Sequence, residues 1–152
     1  MLDIRRDDVT DPRVVALLAR HLDEMRGLSP PESVHALDLD GLKRPDMTLW
    51  TAWDGDTLLG CGGLKTLDES HGELKSFHTA REARGRGVAT AILAVVLEEA
   101  RQRGLSRLSL ETGTPEPFRP ARDLYERHGF AECPPFGDYR EDPFSVCMTR
   151  VF

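Results

Sequence analysis

The chain has 152 residues, of which 39% are hydrophobic and 30% charged, a composition typical of one soluble globular domain with a core of its own. The formal net charge of −6 argues against general nucleic-acid binding, because that binding depends on cationic side chains that neutralise phosphates. The sequence contains no apolar run that could span a bilayer and no recognisable targeting segment. We therefore expect a single cytoplasmic domain over residues 1–152, with no membrane partner.

The N-terminal part is predicted to form a short strand followed by two helical stretches. The strand covers residues 2–5, and Asp11-Pro12 then supplies the N-cap and first-turn proline of a helix. Apolar residues recur along one side of this helix, and Gly27 is predicted to end it. A second, shorter helical stretch is expected from residue 29, continuing less regularly to residue 42.

The middle of the chain is predicted to be an antiparallel meander. Strands over residues 47–53 and 57–65 flank Asp54-Gly55-Asp56, which is a strong hairpin signal. A second turn over residues 68–72 leads into a third strand over residues 73–79.

The C-terminal half alternates helices and strands. Apolar residues at helical spacing mark the first of these helices, and glycines 104 and 129 are predicted to end the two helices. The strand–helix–strand order predicts an α/β sheet that contains a parallel crossover. The expected elements are a helix over 88–103, a strand over 105–112, a helix over 118–128, and strands over 130–133 and 145–152.

The three cysteines are odd in number and widely spaced, at Cys61, Cys133 and Cys147. They form neither a CxxC pair nor a metal-ligand pattern. We therefore expect reduced, mostly buried thiols and no metal site.

Arg84-Gly85-Arg86-Gly87-Val88-Ala89 stands between a predicted strand and a strongly amphipathic helix. Glycines let the backbone adopt positive φ and approach an anion closely. The first amides of a helix have no intrahelical partner, and the helix dipole adds partial positive charge there. Together with two arginines, this pattern predicts a phosphate-binding loop. The alternative is a surface turn whose charges serve solubility.

Other phosphate-binding patterns fit this segment poorly. No Gly-Lys-Ser/Thr follows at the spacing of a nucleoside triphosphatase loop, and Thr90 stands where a dinucleotide fingerprint needs its third glycine. A single Arg-Gly copy in an acidic chain is also a poor match to a low-complexity RNA-binding tract.

Read as Arg/Gln-x-x-Gly-x-Gly/Ala, the segment from Arg84 to Ala89 resembles the pyrophosphate-binding motif of the GNAT acyltransferase superfamily, whose members bind acetyl-coenzyme A. A second segment, from Ala121 to Phe130, resembles the family pattern Ala-x-x-x-Tyr-x-x-x-Gly-Phe and lies one strand and one helix later, as in the family. The resemblance covers roughly the whole chain and is closest from Gly72 onward. It is strongest to small bacterial stand-alone members that carry Pro-Phe-Gly-x-Tyr near the end, here residues 135–139.

This resemblance implies a GNAT fold and a transferase activity. The fold would have a mixed central sheet of six to seven strands, a β-hairpin meander, a parallel splayed strand pair and about four helices. The activity would move an acetyl group from acetyl-coenzyme A to a primary amine of a small molecule or peptide, by direct attack in a ternary complex. The family also implies a possible homodimer. Two alternatives remain: a non-catalytic acyl-coenzyme A-binding module, and an interaction domain that binds no coenzyme.

The resemblance also assigns candidate residues to the coenzyme. The pyrophosphate would lie on the loop, and backbone groups of the preceding strand would hold the thioester and pantetheine. Many family members carry Asn where this chain has Phe118, so that ligand contact is not carried over. The candidate coenzyme-binding residues are Phe77, His78, Thr79, Arg84, Gly85, Arg86, Gly87, Val88, Ala89 and Thr90.

Proton transfer requires a base for the amine and an acid for the leaving thiolate. Tyr125 stands where the family keeps the acid. Glu73 and Glu111 are the candidate bases, with His78 as a third candidate and a chain of water molecules as a competitor. The acceptor pocket is expected to use variable segments, and Lys75 faces either the cleft or solvent. The candidate acceptor-binding residues, each of which is otherwise ordinary surface polarity, are Glu24, Ser29, Glu32, His35, Lys75 and Tyr139.

Overall fold

A seven-stranded mixed sheet organises residues 2–152, the part of the chain that the computed structural model describes. The strands are β1 (Asp3–Asp7), β2 (Met47–Asp54), β3 (Thr57–Thr66), β4 (His71–Thr79), β5 (Arg107–Gly113), β6 (Ala131–Cys133) and β7 (Ser145–Val151). Their order across the sheet is β1-β2-β3-β4-β5-β7-β6. Strands β4 and β5 are parallel, and the other neighbouring pairs are antiparallel. The predicted mixed sheet with its meander and parallel crossover is confirmed.

Four α-helices accompany the sheet: α1 (Pro12–Leu28), α2 (Leu39–Leu42), α3 (Val88–Gln102) and α4 (Arg119–Arg127). Short 3₁₀ turns lie at Pro31–Ser33, Arg81–Ala83 and Glu116–Phe118. The predicted N-cap of α1 is confirmed, because the Asp11 carboxylate accepts a hydrogen bond from the Arg13 amide at 2.8 Å.

Several predicted boundaries were wrong, among them those of α1, α2 and β5. Helix α1 continues through Gly27 to Leu28, and it ends at an extended Ser29 because the following Pro30 cannot continue a helix. The helical stretch expected over residues 29–42 is interrupted, since Asp38 caps a separate α2 by accepting from the Gly41 amide at 2.9 Å. Strand β5 begins two residues later than predicted, because the Leu105 amide still bonds the Ala100 carbonyl in the cap of α3.

The parallel strands β4 and β5 are paired over three positions only, from His71 opposite Arg107 to Glu73 opposite Ser109. Beyond these positions β4 carries a bulge, in which Ser76 and Phe77 together oppose Gly62 of β3. Within this bulge Ser76 adopts a positive φ of 58°, which is a strained backbone conformation for a residue other than glycine. The bulge accompanies the divergence of β4 from β5, which opens a cleft between the two strands.

Helix α3 is anchored by its apolar face, which is fully buried from Val88 to Ala100. Glycines on β3 permit its close approach: a Cβ on Gly60 would lie 2.9 Å from Val88 Cγ1, and one on Gly62 would lie 2.8 Å from Ile92 Cγ2. This packing fixes the start of α3, and the glycine-rich turn before it, beside the cleft.

Candidate active site

A cleft of about 650 Å³ runs between the diverging strands, from the start of α3 to the segment that joins β6 and β7. It brings together most of the residues predicted for coenzyme binding, catalysis and acceptor binding. Those that line it are Glu24, Ser29, His35, Glu73, Lys75, Phe77, His78, Thr79, Arg84, Gly85, Gly87, Val88, Ala89, Thr90, Glu111, Tyr125 and Tyr139. Two do not: Glu32 is exposed to solvent, and Arg86 points elsewhere.

The glycine loop (residues 84–90) presents a series of unpaired amides. Gly85 and Gly87 adopt φ values of 79° and 77°, and Gly87 caps α3 in the left-handed conformation. The first amide to bond within this end of the helix belongs to Ala91, which donates to the Gly87 carbonyl at 3.0 Å. Within residues 2–152, none of the amides from Gly85 to Thr90 donates a hydrogen bond. The loop therefore has the free donors that an anion requires.

The two arginines of the glycine loop are both paired with carboxylates. Arg84 Nη2 donates to Glu24 Oε1 at 2.9 Å, and this contact joins the loop to α1. Arg86 Nη2 donates to Asp54 Oδ2 at 3.2 Å, at the end of β2. An anion that recruits Arg84 must therefore compete with Glu24.

The segment after the bulge of β4 carries a pair of histidines. His78 Nδ1 and His21 Nδ1 lie 3.2 Å apart, so one ring donates to the other. Burial lowers the pKa of His78, and it lowers the pKa of His21 to about 4. His78 Nε2 also lies 4.0 Å from Glu24 Oε2. His21 was not identified as a site residue from the sequence.

Tyr125 of α4 is 6% exposed and lies at the wall of the cleft. Its ring makes edge contacts with Phe77 and Phe130, with centroid distances of 6.3 and 5.9 Å. No group of residues 2–152 forms a hydrogen bond with its hydroxyl. Burial, together with the nearby charge of Glu111, raises the pKa of Tyr125, so the phenol keeps its proton.

The carboxylate of Glu73 is already engaged by two neighbours. Tyr139 donates its hydroxyl proton to Glu73 Oε2 at 2.5 Å, and Lys75 Nζ lies 3.4 Å from the same oxygen. Lys75 Nζ also donates to Tyr139 Oη and to the His35 carbonyl, both at 3.0 Å. Lys75 thus faces the cleft rather than solvent. Its contacts with Tyr139 and with the His35 carbonyl connect β4 to two loops.

Glu111 of β5 lines the cleft in a different electrostatic setting. It accepts one hydrogen bond, from Ser145 Oγ at 2.5 Å. Burial raises the pKa of Glu111 to about 7, and the Ser145 hydrogen bond offsets only part of that rise. Near neutral pH this carboxyl group is therefore divided between its protonated and ionised forms. Ser145 was not identified from the sequence.

Phe118 also lines the cleft, and its ring packs onto Gly113 at the end of β5. A Cβ at Gly113 would overlap this ring. A packed aromatic ring therefore occupies the position at which many GNAT proteins carry Asn.

Neither a metal centre nor a membrane span is found in the described part of the chain. Residues 2–152 contain no group of three or more His, Cys, Asp or Glu side chains arranged to hold a metal ion. No helix among them is both long and apolar enough to cross a bilayer.

Comparison with known proteins identifies the family. Residues 14–130 match the acetyltransferase (GNAT) family. An uncharacterized N-acetyltransferase of Bacillus subtilis, YsnE, is 52% identical over 98% of this chain and 99% of its own length. An IAA acetyltransferase of Azospirillum brasilense is 39% identical over 97% of this chain and 95% of its own length. The chain belongs to the GNAT acetyltransferase family and is an N-acetyltransferase by class, which confirms the resemblance read from the sequence.

Solved structures agree on the fold. An N-acetyltransferase of Thermoplasma acidophilum, determined in complex with coenzyme A, superposes with a TM-score of 0.75 at 14% identity. The match covers 100% of this chain and 99% of that protein.

Proposed function

We propose that the protein transfers the acetyl group of acetyl-coenzyme A to a primary amine of a small molecule, by direct attack in a ternary complex. The observation that carries this proposal is the content of one cleft: unpaired amides at the start of α3, a carboxyl group with a pKa of about 7, and a phenol without a partner. Family membership and the coenzyme A-bound structural neighbour support the choice of cosubstrate.

The glycine loop suits the pyrophosphate of the coenzyme. Hydrogen bonds to charged groups are worth roughly 1.5–3 kcal/mol each, so several amides between Gly85 and Thr90 would dominate binding of a diphosphate. Arg84 would join them after leaving Glu24. The backbone at Phe77, His78 and Thr79, next to the bulge of β4, would hold the pantetheine and the thioester carbonyl. Bound acetyl-coenzyme A would supply the activated acyl group.

Glu111 is our choice for the general base. An alkyl ammonium with a pKa of about 10 has no lone pair, so the amine must lose a proton before attack. A carboxylate that titrates near neutral pH accepts such a proton more readily than an ordinary glutamate. Glu73 is committed to Tyr139 and Lys75, and the pKa values of His78 and His21 are lowered. The proton would reach Glu111 directly or through one water molecule.

Tyr125 is our choice for the acid that protonates the leaving thiolate. Its raised pKa keeps the phenol protonated until the thiolate forms. Burial of the thiolate in the same cleft also raises the pKa of the thiol, which reduces the pKa difference against which the proton moves from the phenol to sulfur. Solvent then returns a proton to the tyrosine. Packing against Phe77 and Phe130 holds the ring in place, and the hydroxyl remains free for this role.

The size of the cleft suits a small acceptor. The volume of the whole cleft, about 650 Å³, lies within the range of small-molecule pockets, roughly 300–1,000 Å³. The Ser33 hydroxyl donates to Asp142 Oδ2 at 2.5 Å and so connects two segments beside the cleft, Pro31–Ser33 and the β6–β7 connection. We propose Glu24, His35, Lys75 and Tyr139 as acceptor contacts, whereas the exposed Glu32 has weaker support. Because the name of the Azospirillum relative includes IAA, that compound is tested beside the amines.

An acetylation screen tests the proposal. Purified protein is given acetyl-coenzyme A and a panel of amino acids, polyamines, aminoglycosides, peptides and IAA, and thiol release is followed. Amine-dependent release that is lost in Tyr125→Phe would support an enzyme. Coenzyme binding without release across the panel would instead favour the non-catalytic binding module. If acetyl-coenzyme A failed to raise the thermal midpoint, both readings would fail, since saturation at 100 times Kd stabilises by roughly 2.7 kcal/mol.

A further inference from the structure

Cys133 and Cys147, which stand 14 positions apart in the sequence, are directly opposite each other in the sheet. Cys133 ends β6, and Cys147 is its antiparallel partner in β7. Partners in such a pair have Cα atoms about 4.5–5.5 Å apart and side chains on the same face. Disulfides span Cα distances of about 4.4–6.8 Å. The two sulfur atoms can therefore be joined without a change in strand pairing.

The surroundings of the two thiols differ. Cys147 is 5% exposed, and burial raises its pKa to about 11 although the Phe136 amide donates to its sulfur. Cys133 lies on the edge strand and is only partly buried, although burial raises its pKa as well. The third cysteine, Cys61, is buried in β3, where its thiol donates to the Ser76 carbonyl. Cys133 is thus the thiol most accessible to a soluble oxidant.

This thiol pair lies next to the candidate base. Cys147 is also the register partner of Glu111 in β5, so Glu111, Cys147 and Cys133 form one row on one face of the sheet. The tyrosine loop (residues 134–144) connects the two cysteine-bearing strands. This loop places the Tyr139 hydroxyl within hydrogen-bonding distance of Glu73 and Lys75. A covalent bond at the base of this loop would act beside the acceptor end of the cleft.

We propose that Cys133 and Cys147 form an oxidisable pair that closes to an intramolecular disulfide, with hydrogen peroxide as the oxidant. The Cys133 thiolate attacks a peroxide oxygen, the O–O bond breaks, and a sulfenic acid and hydroxide form. The Cys147 thiolate then attacks the sulfenic sulfur, which forms the S–S bond and expels a second hydroxide. Each hydroxide takes up one of the protons released from the thiols. Two thiols and one peroxide thus give one disulfide and two water molecules.

The bond fixes the base of the tyrosine loop. Because the loop positions Tyr139, oxidation changes the KM for the amine acceptor and leaves the Kd for coenzyme A unchanged, since the glycine loop lies elsewhere in the cleft. This coupling rests on the proposed function, whereas the disulfide itself does not.

The chemical experiment exposes the protein to graded hydrogen peroxide and follows thiol titration and peptide mapping without reductant. The expected result is a monomer whose titratable thiols fall from three to one, with a Cys133–Cys147 cross-link that dithiothreitol reverses. Because thiolates are the reacting species, the reaction accelerates as pH rises. Cys61→Ser still forms the cross-link, and Cys133→Ser does not. A disulfide that includes Cys61, a cross-link between two chains, or oxidation of each thiol separately would overturn the proposal.

The functional experiment compares reduced and oxidised wild-type protein, with peroxide-treated Cys133→Ser as the control. The acceptor KM changes in the wild type only, while the Kd for coenzyme A stays constant in all samples. An unchanged acceptor KM, or an equal change in Cys133→Ser, would overturn the coupling. A cross-linked protein that acetylates no amine in either state would overturn the proposed function and the coupling, and would support the thiol pair alone.

Discussion

Arg84 of the glycine loop and Glu24 of α1 form an ion pair across the mouth of the cleft, with Nη2 and Oε1 2.9 Å apart. The contact occupies the one loop arginine that lines the cleft. A diphosphate on the loop amides would compete with Glu24 for this guanidinium. Coenzyme binding would thereby be coupled to the release of a carboxylate at the other wall of the cleft.

The variant Glu24→Gln should bind coenzyme A more tightly than the wild type. Partly exposed ion pairs are worth up to about 1 kcal/mol, so the Kd is expected to fall roughly two- to fivefold in isothermal titration calorimetry. In an Arg84→Ala background the same change should have no effect, because the competition is gone. Glu82→Gln is a suitable control, since it removes an exposed carboxylate near the loop. If Glu82→Gln increased the affinity for coenzyme A equally, the effect would come from the change in overall charge. That result would contradict direct competition between Glu24 and the diphosphate for Arg84.

Tyr125→Phe should lower kcat at least tenfold and leave the Kd for acetyl-coenzyme A nearly unchanged. The phenyl ring preserves the contacts with Phe77 and Phe130, so only the proton donor is lost. Steady-state thiol release and calorimetry measure the two quantities. Unchanged turnover would remove Tyr125 from the mechanism.

The reaction rate should rise with pH through about 7, because Glu111 must be ionised to accept a proton. In Glu111→Gln this limb should disappear and kcat should fall by about 10²-fold, the lower end of general-base effects. Glu73→Gln is the comparison: it should retain the limb near pH 7, since its carboxylate binds Tyr139 instead. If the rise in rate near pH 7 persisted in Glu111→Gln and vanished in Glu73→Gln, Glu73 rather than Glu111 would be the general base.

Glu111 also predicts a dependence of folding stability on pH. Its pKa in the folded protein is raised above the ordinary value, so its favourable contribution is complete at low pH and is lost as pH rises through about 7. Relative to the wild type, Glu111→Gln should therefore gain stability between pH 5 and pH 8, on the order of 3 kcal/mol at most. Chemical denaturation at the two pH values measures this. A constant difference between the proteins would contradict the raised pKa.

Tyr139→Phe should raise the acceptor KM and reduce stability while leaving coenzyme affinity intact. Removal of the hydroxyl leaves the buried Glu73 carboxylate with Lys75 as its remaining partner. The loss of one hydrogen bond to a buried charged group costs about 1–3 kcal/mol. Thermal unfolding and acceptor kinetics test this, and normal values for both would contradict the loop-anchoring role.

The sequence predicted the glycine-rich turn, the order of the strands and the starts of α1 and α3, because these depend on local features. Positive φ at Gly85 and Gly87 and the cap at Asp11 are properties of neighbouring residues. The bulge of β4 had no such signal, since the residue with positive φ there is Ser76 rather than glycine.

Contacts between distant segments were not predictable from one sequence. Tyr139 and Glu73 lie on different elements, and so do Ser33 and Asp142. Strand register alone places Cys133 opposite Cys147, whereas the spacing of the cysteines had predicted only reduced, mostly buried thiols. The choice of Glu111 over Glu73 as the general base likewise depended on their hydrogen-bond partners, which only the tertiary structure reveals.

A crystal structure of the protein with bound acetyl-coenzyme A tests the central claim most directly. We expect pyrophosphate oxygens within hydrogen-bonding distance, roughly 2.7–3.2 Å, of amides between Gly85 and Thr90, Arg84 turned from Glu24, and the thioester sulfur within reach of the Tyr125 hydroxyl. A coenzyme bound outside the cleft, or loop amides turned away from its phosphates, would contradict the account.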